Sequence, residues 1–134
     1  MNIILCLDDK NGILFNNRRQ SRDVLVIDRI LQVAENKTLL MNEYSSKIFP
    51  NDKIIVNNNF LEIAKSGDYC FIENVDIGEY KDKIEKIIIY RWNRVYPADK
   101  KIDSSLIENK KLITSYEFKG NSHEKITEDI YDNI

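Results

Sequence analysis

Several residue types that mark whole classes of protein are scarce in this chain of 134 residues. Only two prolines and four glycines are present, which excludes a collagen-like or low-complexity chain. No apolar run approaches the ~20 residues that a membrane span needs. The net charge is -2, from 20 basic and 22 acidic residues, so nothing draws the whole chain to nucleic acid or an anionic membrane. We expect one globular domain, residues 1–134.

Cysteine and histidine are scarce as well. The chain starts without the positive stretch of a secretory signal and soon reaches Asp8, so we expect a cytoplasmic protein with Cys6 and Cys70 as reduced core thiols. A redox-active cysteine pair stays open as the alternative. A single histidine, His123, cannot supply the ligands of a zinc enzyme. A serine, histidine and aspartate arrangement using His123 stays open, although nothing marks its nucleophile.

Arginine is the informative basic residue, because isoleucine, asparagine and lysine, whose codons are rich in A and T, are abundant throughout the chain. All six arginines lie in two short segments. A guanidinium group makes two-pronged contacts with carboxylate or phosphate that lysine does not reproduce. The segments therefore indicate either anion-binding sites or solvated charges with a few ion pairs. The arginines are Arg18, Arg19, Arg22, Arg29, Arg91 and Arg94.

Strand and helix patterns alternate along most of the chain, which predicts a three-layer α-β-α domain with a mostly parallel central sheet. Apolar spacing predicts a helix over residues 22–35, with Ser21 as its N-cap and Asp23 in its first turn. Asn11 and Gly12 predict a turn, and residues 16–20 a polar loop. Strands are predicted at 2–7, 38–41, 53–56, 69–72, 86–96 and 111–118, and short helices after Asn42 and at 60–65 and 78–84.

The closing segment is ambiguous. Ile126, Ile130 and Ile134 fit both a helical row and a strand with a period of two, and Asn121 with Glu124 fits a helix cap. Both structures stay open here. The chain also lacks the glycine-rich phosphate loops, the paired-cysteine motif and the nucleophile elbow. These absences exclude P-loop NTPases, ordinary Rossmann dehydrogenases, thioredoxin-like proteins and typical α/β-hydrolases.

A family resemblance rests on the order of these elements and on two stretches. Residues 7–12 form a strand end and turn, and Ser21-Arg22-Asp23-Val24 then opens the first helix. This order resembles the dihydrofolate reductase family, in which a catalytic carboxylate stands at that helix start and a later strand carries a hydroxyl side chain nearby. The resemblance implies that fold and assigns the carboxylate to Asp23 and the hydroxyl to Tyr90. The ligand-binding residues of the resulting cleft are predicted to be Asn11, Arg18, Arg19 and Arg22.

The chain departs from that family at the two turns that hold the phosphates of NADPH. A Gly-Arg-x-Thr turn is replaced by Asn42-Glu43, and a Gly-Gly turn by Glu73-Asn74. A carboxylate about 4 Å from a phosphate oxygen repels it by about 1 kcal/mol in water and by more in a partly buried pocket. Glu43 and Glu73 therefore disfavour NADPH, and we expect no cofactor and no reductase activity.

Two functions are predicted. The first is binding of a small heterocyclic or nucleotide ligand at Asp23, whose carboxylate pairs well with an amino-heterocycle. A plainer role for Asp23 is to stabilise the helix start and pair with Arg19 or Arg22. The alternative function is a nucleic-acid or protein-partner module that uses the segments Arg18–Arg22 and Arg91–Arg94, with exposed Trp92 or Tyr96 for stacking.

A magnesium site is a further possibility at the strand ends. Carboxylate oxygens are the ligands that Mg²⁺ prefers, and acidic residues follow several predicted strands. The plainer explanation is that charges at strand ends keep the surface hydrated, and we expect no metal. The acidic residues in question are Asp8, Asp9, Glu43 and Glu73.

Overall fold

A computed structural model describes residues 1–133, within which the chain forms ten strands and four α-helices. The strands are β1 (Asn2–Leu7), β2 (Gly12–Phe15), β3 (Arg18–Arg19), β4 (Leu39–Met41), β5 (Ile55–Val56), β6 (Tyr69–Phe71), β7 (Lys86–Arg91), β8 (Lys100–Lys101), β9 (Lys111–Phe118) and β10 (Ile126–Asp132). The α-helices are α1 (Val24–Val33), α2 (Glu43–Ser46), α3 (Phe60–Ile63) and α4 (Ser105–Glu108), and 3-10 turns cover Asn51–Lys53 and Gly78–Lys83.

A seven-stranded sheet runs through the centre of the molecule in the order β5-β4-β6-β1-β7-β10-β9. The first five of these strands are mutually parallel, whereas β10 pairs antiparallel with both β7 and β9. The prediction of an α/β fold with a mostly parallel sheet is confirmed. The antiparallel pair adds two strands to one edge, and this brings the loop before β10 next to the start of α1.

Both faces of the sheet are covered, because β1 has apolar residues on both of its sides. One face of β1 contributes Ile3, Leu5 and Leu7 to a core layer that includes α3 and α4. The other face contributes Ile4 to a layer that includes Val26 and Ile30 of α1, Phe49, Tyr90 and Trp92. Burying one large aliphatic side chain contributes about 1.5–3 kcal/mol, so these two layers supply most of the drive for folding.

Helix α1 begins two residues later than its apolar pattern predicts. Asp23 is its N-cap, with extended backbone angles and a side chain that accepts a hydrogen bond from Leu25 N–H at 2.9 Å. The prediction of Ser21 as the cap is therefore wrong. Asp23 competes better for this position because a carboxylate accepts hydrogen bonds on two oxygens, whereas Ser21 offers one hydroxyl.

A second, three-stranded sheet of order β3-β2-β8 was not predicted. Its hairpin joins β2 to β3 through Asn16 and Asn17, whose φ angles are 51° and 60°. Two consecutive residues in the left-handed region make the turn type that matches the twist of a hairpin, and asparagine tolerates it well. The Asn-Asn pair between Phe15 and Arg18 was the available sequence signal, and residues 16–20 are not simply a loop.

For two other segments the structure shortens a predicted strand or decides between two predicted structures. The strand predicted at 86–96 ends at Arg91, since Trp92 is followed by a turn in which Asn93 has a φ of 58°. The ambiguous closing segment is a strand, because Ile126 and Ile130 pair with β9 and continue the sheet. Ile134 lies outside the described residues. None of the helices within residues 1–133 has the length and apolar composition needed to cross a membrane.

Candidate functional site

The Asp23 carboxylate is the centre of a buried polar cluster between the start of α1 and the loop before β10. Its Oδ1 accepts from the N–H groups of Leu25 and Asn121, both at 2.9 Å. Its Oδ2 accepts from Ser122 N–H at 2.8 Å and lies 2.9 Å from His123 Nδ1. The side chain has no exposed surface. Four N–H donors match the capacity of a carboxylate, and Ser122 Oγ lies 3.2 Å from Oδ2 as well, so this carboxylate is saturated by the protein itself.

Those hydrogen bonds hold Asp23 in its charged form. Burial by itself would raise the pKa of the carboxyl group, but the hydrogen bonds from Asn121, His123, Ser122 and Leu25 outweigh it and lower that pKa well below its usual range. An ionised carboxylate only accepts hydrogen bonds. The proton in the bond to His123 is therefore carried by Nδ1.

The opposite ring nitrogen of His123 meets two hydroxyl groups. Nε2 lies 3.1 Å from Ser21 Oγ and 3.0 Å from Tyr96 Oη. The imidazole stacks on the indole of Trp92, with ring centroids 4.5 Å apart. We call these five residues, Ser21, Asp23, Trp92, Tyr96 and His123, the His123 cluster. The sequence left a serine, histidine and aspartate arrangement at His123 open but did not identify its members, because they come from three separate segments of the chain.

Tyr90 belongs to a different network. It is fully buried on β7, and its hydroxyl donates to Glu128 Oε2 at 2.9 Å. Burial, followed by the Glu128 charge, raises the pKa of Tyr90 well above its usual range. Glu128 also accepts two hydrogen bonds from Arg29, at 2.7 and 3.1 Å. The expected convergence of Asp23 and Tyr90 on one cleft is therefore not observed.

Arg19 pairs with Glu73 rather than with Asp23. Its Nε and Nη2 donate to the two carboxylate oxygens at 2.9 and 3.0 Å. Ser45 Oγ donates to the same carboxylate at 2.8 Å, and the guanidinium lies over the Tyr44 ring, 4.6 Å from its centroid. We call these four residues the Arg19 clamp. It joins β3 to the carboxyl ends of β4 and β6, where the replaced turns lie.

The remaining predicted ligand-binding residues are not members of the clamp. Arg18 and Arg22 are exposed and have no carboxylate within 4 Å among residues 1–133. Asn11, with a φ of 61°, forms the turn after β1, in which its N–H donates to the carbonyl of Asp8. The predicted turn is confirmed, and the backbone of Asn11 is used to build it.

Three of the six arginines are neutralised within the protein. Arg91 pairs with Asp129 at 2.7 Å, in addition to the pairs that Arg19 and Arg29 make. Trp92 is only 2% exposed, so the expectation that it offers a stacking surface is wrong. The predicted strand over residues 86–96 contains Trp92, whereas in the structure the strand ends at Arg91 and the indole stacks on His123.

Of the four acidic residues considered for magnesium, Asp8 and Glu73 take internal partners, whereas Asp9 and Glu43 are exposed. The Asp8 carboxylate accepts from the N–H groups of Lys10 and Gly12, and Glu73 belongs to the Arg19 clamp. Glu43 is exposed beside Asn42, which caps α2 as predicted and bonds Asn74 at 2.7 Å. Within residues 1–133, no group of three or more histidine, cysteine, aspartate or glutamate side chains is arranged to hold a metal ion.

Two surface hollows border the His123 cluster. The first, of about 330 Å³, lies between α1 and the segment after α2 and has both apolar walls and cations. We call it the Asp23 cleft, and it is lined by Arg22, Asp23, Val24, Ile27, Lys47, Ile48 and Phe49. The second, of about 550 Å³, is the Tyr96 groove, lined by Phe15, Asn16, Arg18, Arg19, Gln20, Tyr96 and Pro97.

Strand order, crossover helices and the carboxylate at the start of α1 together define a dihydrofolate reductase-like fold. No protein-family model and no curated protein sequence matches the chain. Among solved structures, the chain is similar to the dihydrofolate reductase from Enterococcus faecalis complexed with NADP(H) and RAB-propyl, with a TM-score of 0.66 over 98% of this chain and 94% of that chain. The sequence identity is 10%, so this similarity establishes the fold and nothing about activity.

Proposed function

We propose that this chain is a binding protein for a small anionic heterocycle and that it lacks NADPH-dependent reductase activity. The Arg19 clamp is the observation that supports the lack of reductase activity. Glu73 stands where the related enzymes have a glycine turn, is 6% exposed and is held by Arg19 and Ser45. A phosphate brought to that turn would meet a buried carboxylate. It would also have to displace a two-pronged ion pair.

The Asp23 cleft supports the choice of ligand. Val24, Ile27 and Phe49 give it apolar walls, and the side chain of Val24 is 55% exposed. Arg22 and Lys47 also line it, and within residues 1–133 neither has a carboxylate within 4 Å. A flat apolar ring with a carboxylate or phosphate group matches these walls and charges.

The role of Asp23 in this proposal is indirect. Its carboxylate faces its own four donors and has no exposed surface, so it does not touch a ligand in this conformation. Asp23 instead fixes the first turn of α1, from which Arg22 and Val24 reach the cleft. The residue thus positions the binding surface without forming a contact to the heterocycle.

Thermal unfolding in the presence of ligands tests both halves. We expect folates or nucleoside monophosphates to raise the melting temperature in a concentration-dependent way, by a stabilisation of about 2.7 kcal/mol at 100 times the dissociation constant. NADPH should cause no shift, and NADPH mixed with dihydrofolate should not be oxidised.

Arg22→Gln and Lys47→Gln should reduce the rise in melting temperature that the ligand causes. Arg94→Gln, an exposed arginine away from the cleft, is the matched control. A shift with NADPH, or no shift with any ligand, would contradict the proposal.

The alternative module for nucleic acid or a protein partner has less support. Arg19, Arg29 and Arg91 already have carboxylate partners, and Trp92 is buried. No contact in residues 1–133 favours it over the cleft. The test of this alternative is RNA or DNA binding. Binding that weakens steeply with salt, and that is lost when Arg18, Arg19 and Arg22 are replaced together, would support it.

A further inference from the structure

The His123 cluster contains the connectivity of a hydrolytic triad. We propose that Ser21, His123 and Asp23 form a nucleophile, a general base and an orienting carboxylate that hydrolyse small anionic esters. Ser21 Oγ lies 3.1 Å from Nε2, and Asp23 Oδ2 lies 2.9 Å from Nδ1 on the other side of the ring. A hydroxyl and a carboxylate on opposite nitrogens of one imidazole are the arrangement that activates a serine in unrelated folds.

The tautomer of the ring follows from its partners. Asp23 is ionised and accepts a hydrogen bond from Nδ1–H, which leaves the lone pair on Nε2 to accept from the Ser21 hydroxyl. The stack on Trp92 and the 4% exposure of His123 prevent the ring from rotating away. The three backbone N–H groups on Asp23 hold the carboxylate in place, so the base is fixed before any substrate arrives.

Tyr96 competes with Ser21 for the base. Its hydroxyl lies 3.0 Å from the same Nε2, and a neutral imidazole has one lone pair there. Only one of the two hydroxyls donates to Nε2 in good geometry at a time. Tyr96 therefore lowers the fraction of molecules in which Ser21 is activated, and a phenylalanine at this position should increase the reactivity of Ser21.

The surroundings select an anionic substrate. Ser21 is partly exposed, and its neighbour Gln20 lines the Tyr96 groove together with Tyr96 itself. Ser21 itself does not line the groove, whereas Tyr96, whose hydroxyl also touches Nε2, does, so the groove borders the His123 cluster on the side of Tyr96. Arg18 is exposed in the same groove and has no carboxylate partner within residues 1–133, which provides a counter-charge for a carboxylate or phosphate on the substrate.

The chemical step is acyl transfer to serine followed by hydrolysis. Ser21 Oγ forms a bond to the carbonyl carbon of the ester while its proton passes to His123 Nε2. The C–O bond to the alcohol breaks, and the alcohol leaves with that proton. A water molecule then attacks the acyl-serine, gives one proton to Nε2 and releases the acid, and the proton returns to Ser21. The overall reaction converts an ester and water to an acid and an alcohol.

Covalent labelling and burst kinetics test the triad. With a fluorophosphonate probe, intact-mass and peptide analysis should give one adduct, on Ser21. With mono-p-nitrophenyl succinate, a burst of nitrophenol should appear, faster than with p-nitrophenyl acetate. Ser21→Ala and His123→Gln should reduce acylation by about 100-fold or more. Tyr96→Phe should accelerate it several-fold, an effect that a purely structural tyrosine would not give.

Two controls separate chemistry from loss of fold. Ser104→Ala removes an exposed serine whose partner is Glu108 and should label like the unchanged protein. Arg18→Gln should remove the preference for the succinate ester over the acetate ester. An adduct on any residue other than Ser21, a burst that survives Ser21→Ala in a folded variant, or no labelling in the Tyr96→Phe protein would overturn the proposal.

Discussion

The side chain of Asp23 combines a helix cap, a loop anchor and a partner for histidine in one buried carboxylate. Its Oδ1 accepts hydrogen bonds from Leu25 and Asn121, whereas its Oδ2 accepts from Ser122 and His123. A carboxyl group at this position in the fold is therefore explained by local structural demands, without a substrate. A comparison based on position alone would equate this residue with the catalytic carboxylate of a reductase.

Replacing Asp23 with asparagine should lower the free energy of unfolding by about 3 kcal/mol, because the amide turns a donor toward N–H groups that need an acceptor. Urea unfolding measures this. Asp28→Asn is the matched control, since Asp28 is an exposed aspartate on the same helix, and it should change stability by no more than about 0.5 kcal/mol. Equal losses in the two variants would contradict the structural role of Asp23.

The same carboxylate predicts a pH dependence. The folded pKa of Asp23 lies below its unfolded value, so the charged form favours the folded state. This contribution is fully present above the unfolded pKa of about 3.9 and is lost as the pH falls through the folded pKa. Urea unfolding over a pH series should show a steeper acid loss for the unchanged protein than for Asp23→Asn. Parallel curves would exclude Asp23 as a source of acid sensitivity.

At the scale of elements, the loop that precedes β10 is fitted closely to the start of α1. A Cβ atom on Gly120 would lie 2.5 Å from Asp23 Oδ2 and 3.0 Å from the carbonyl oxygen of His123. Asp23 cannot move aside, because its four hydrogen bonds fix it. Glycine is required at position 120 because the backbone and the carboxylate approach so closely there.

Gly120→Ala should therefore destabilise the protein by about 1–3 kcal/mol through overpacking. It should also release the protection of the Asn121 and Ser122 amides in hydrogen exchange. Gly78→Ala is the comparison, since its Cβ would meet Asp76 Oδ1 at an ordinary 3.4 Å. A loss at Gly78 as large as that at Gly120 would mean that close approach to Asp23 is not the cause.

Elements with a continuous apolar pattern were predictable, and those defined by distant partners were not. Residues 2–7 are recognisable as a buried strand because every second side chain faces one of two core layers. Strand β3 has only two residues, Arg18 and Arg19, and one of them is held by Glu73, 54 positions away. Two-residue strands carry no periodicity, so the small sheet has no pattern to detect.

The candidate site shows the same limit. The helix start at Asp23 was visible in the sequence, and the acidic turn at Glu73 was recognised as a departure from the family that the chain resembles. The partner of each carboxylate was not visible, since pairing with Arg19 or Arg22 was expected at Asp23 and the structure gives His123 instead. Charge and spacing identify a residue that needs a partner, but the fold chooses among the candidates.

At the scale of the whole molecule, the two thiols report on global unfolding. Both cysteines are free; burial raises the pKa of Cys70 to about 12, and burial followed by the Glu73 charge raises the pKa of Cys6 well above its usual range. Such thiols carry almost no thiolate at mildly alkaline pH.

We therefore expect no reaction of the native protein with Ellman's reagent, and two equivalents of thiol after denaturation. In urea, labelling of both cysteines should follow the loss of secondary structure measured by circular dichroism. Rapid modification of Cys6 in the native protein would show that its side chain is accessible. A missing equivalent under denaturing, non-reducing conditions would instead support the redox pair.

The hydrogen bonds that join Asp23 to Asn121, Ser122 and His123 span 98 to 100 positions of sequence. During synthesis at about 5–20 residues per second, the cap of α1 is complete about 5–20 seconds before its distant donors have been made. Throughout that interval the carboxylate is hydrated and the helix start lacks its loop. The N-terminal cap of α1 therefore gains its full set of hydrogen bonds only after the loop before β10, the last strand, has been synthesised.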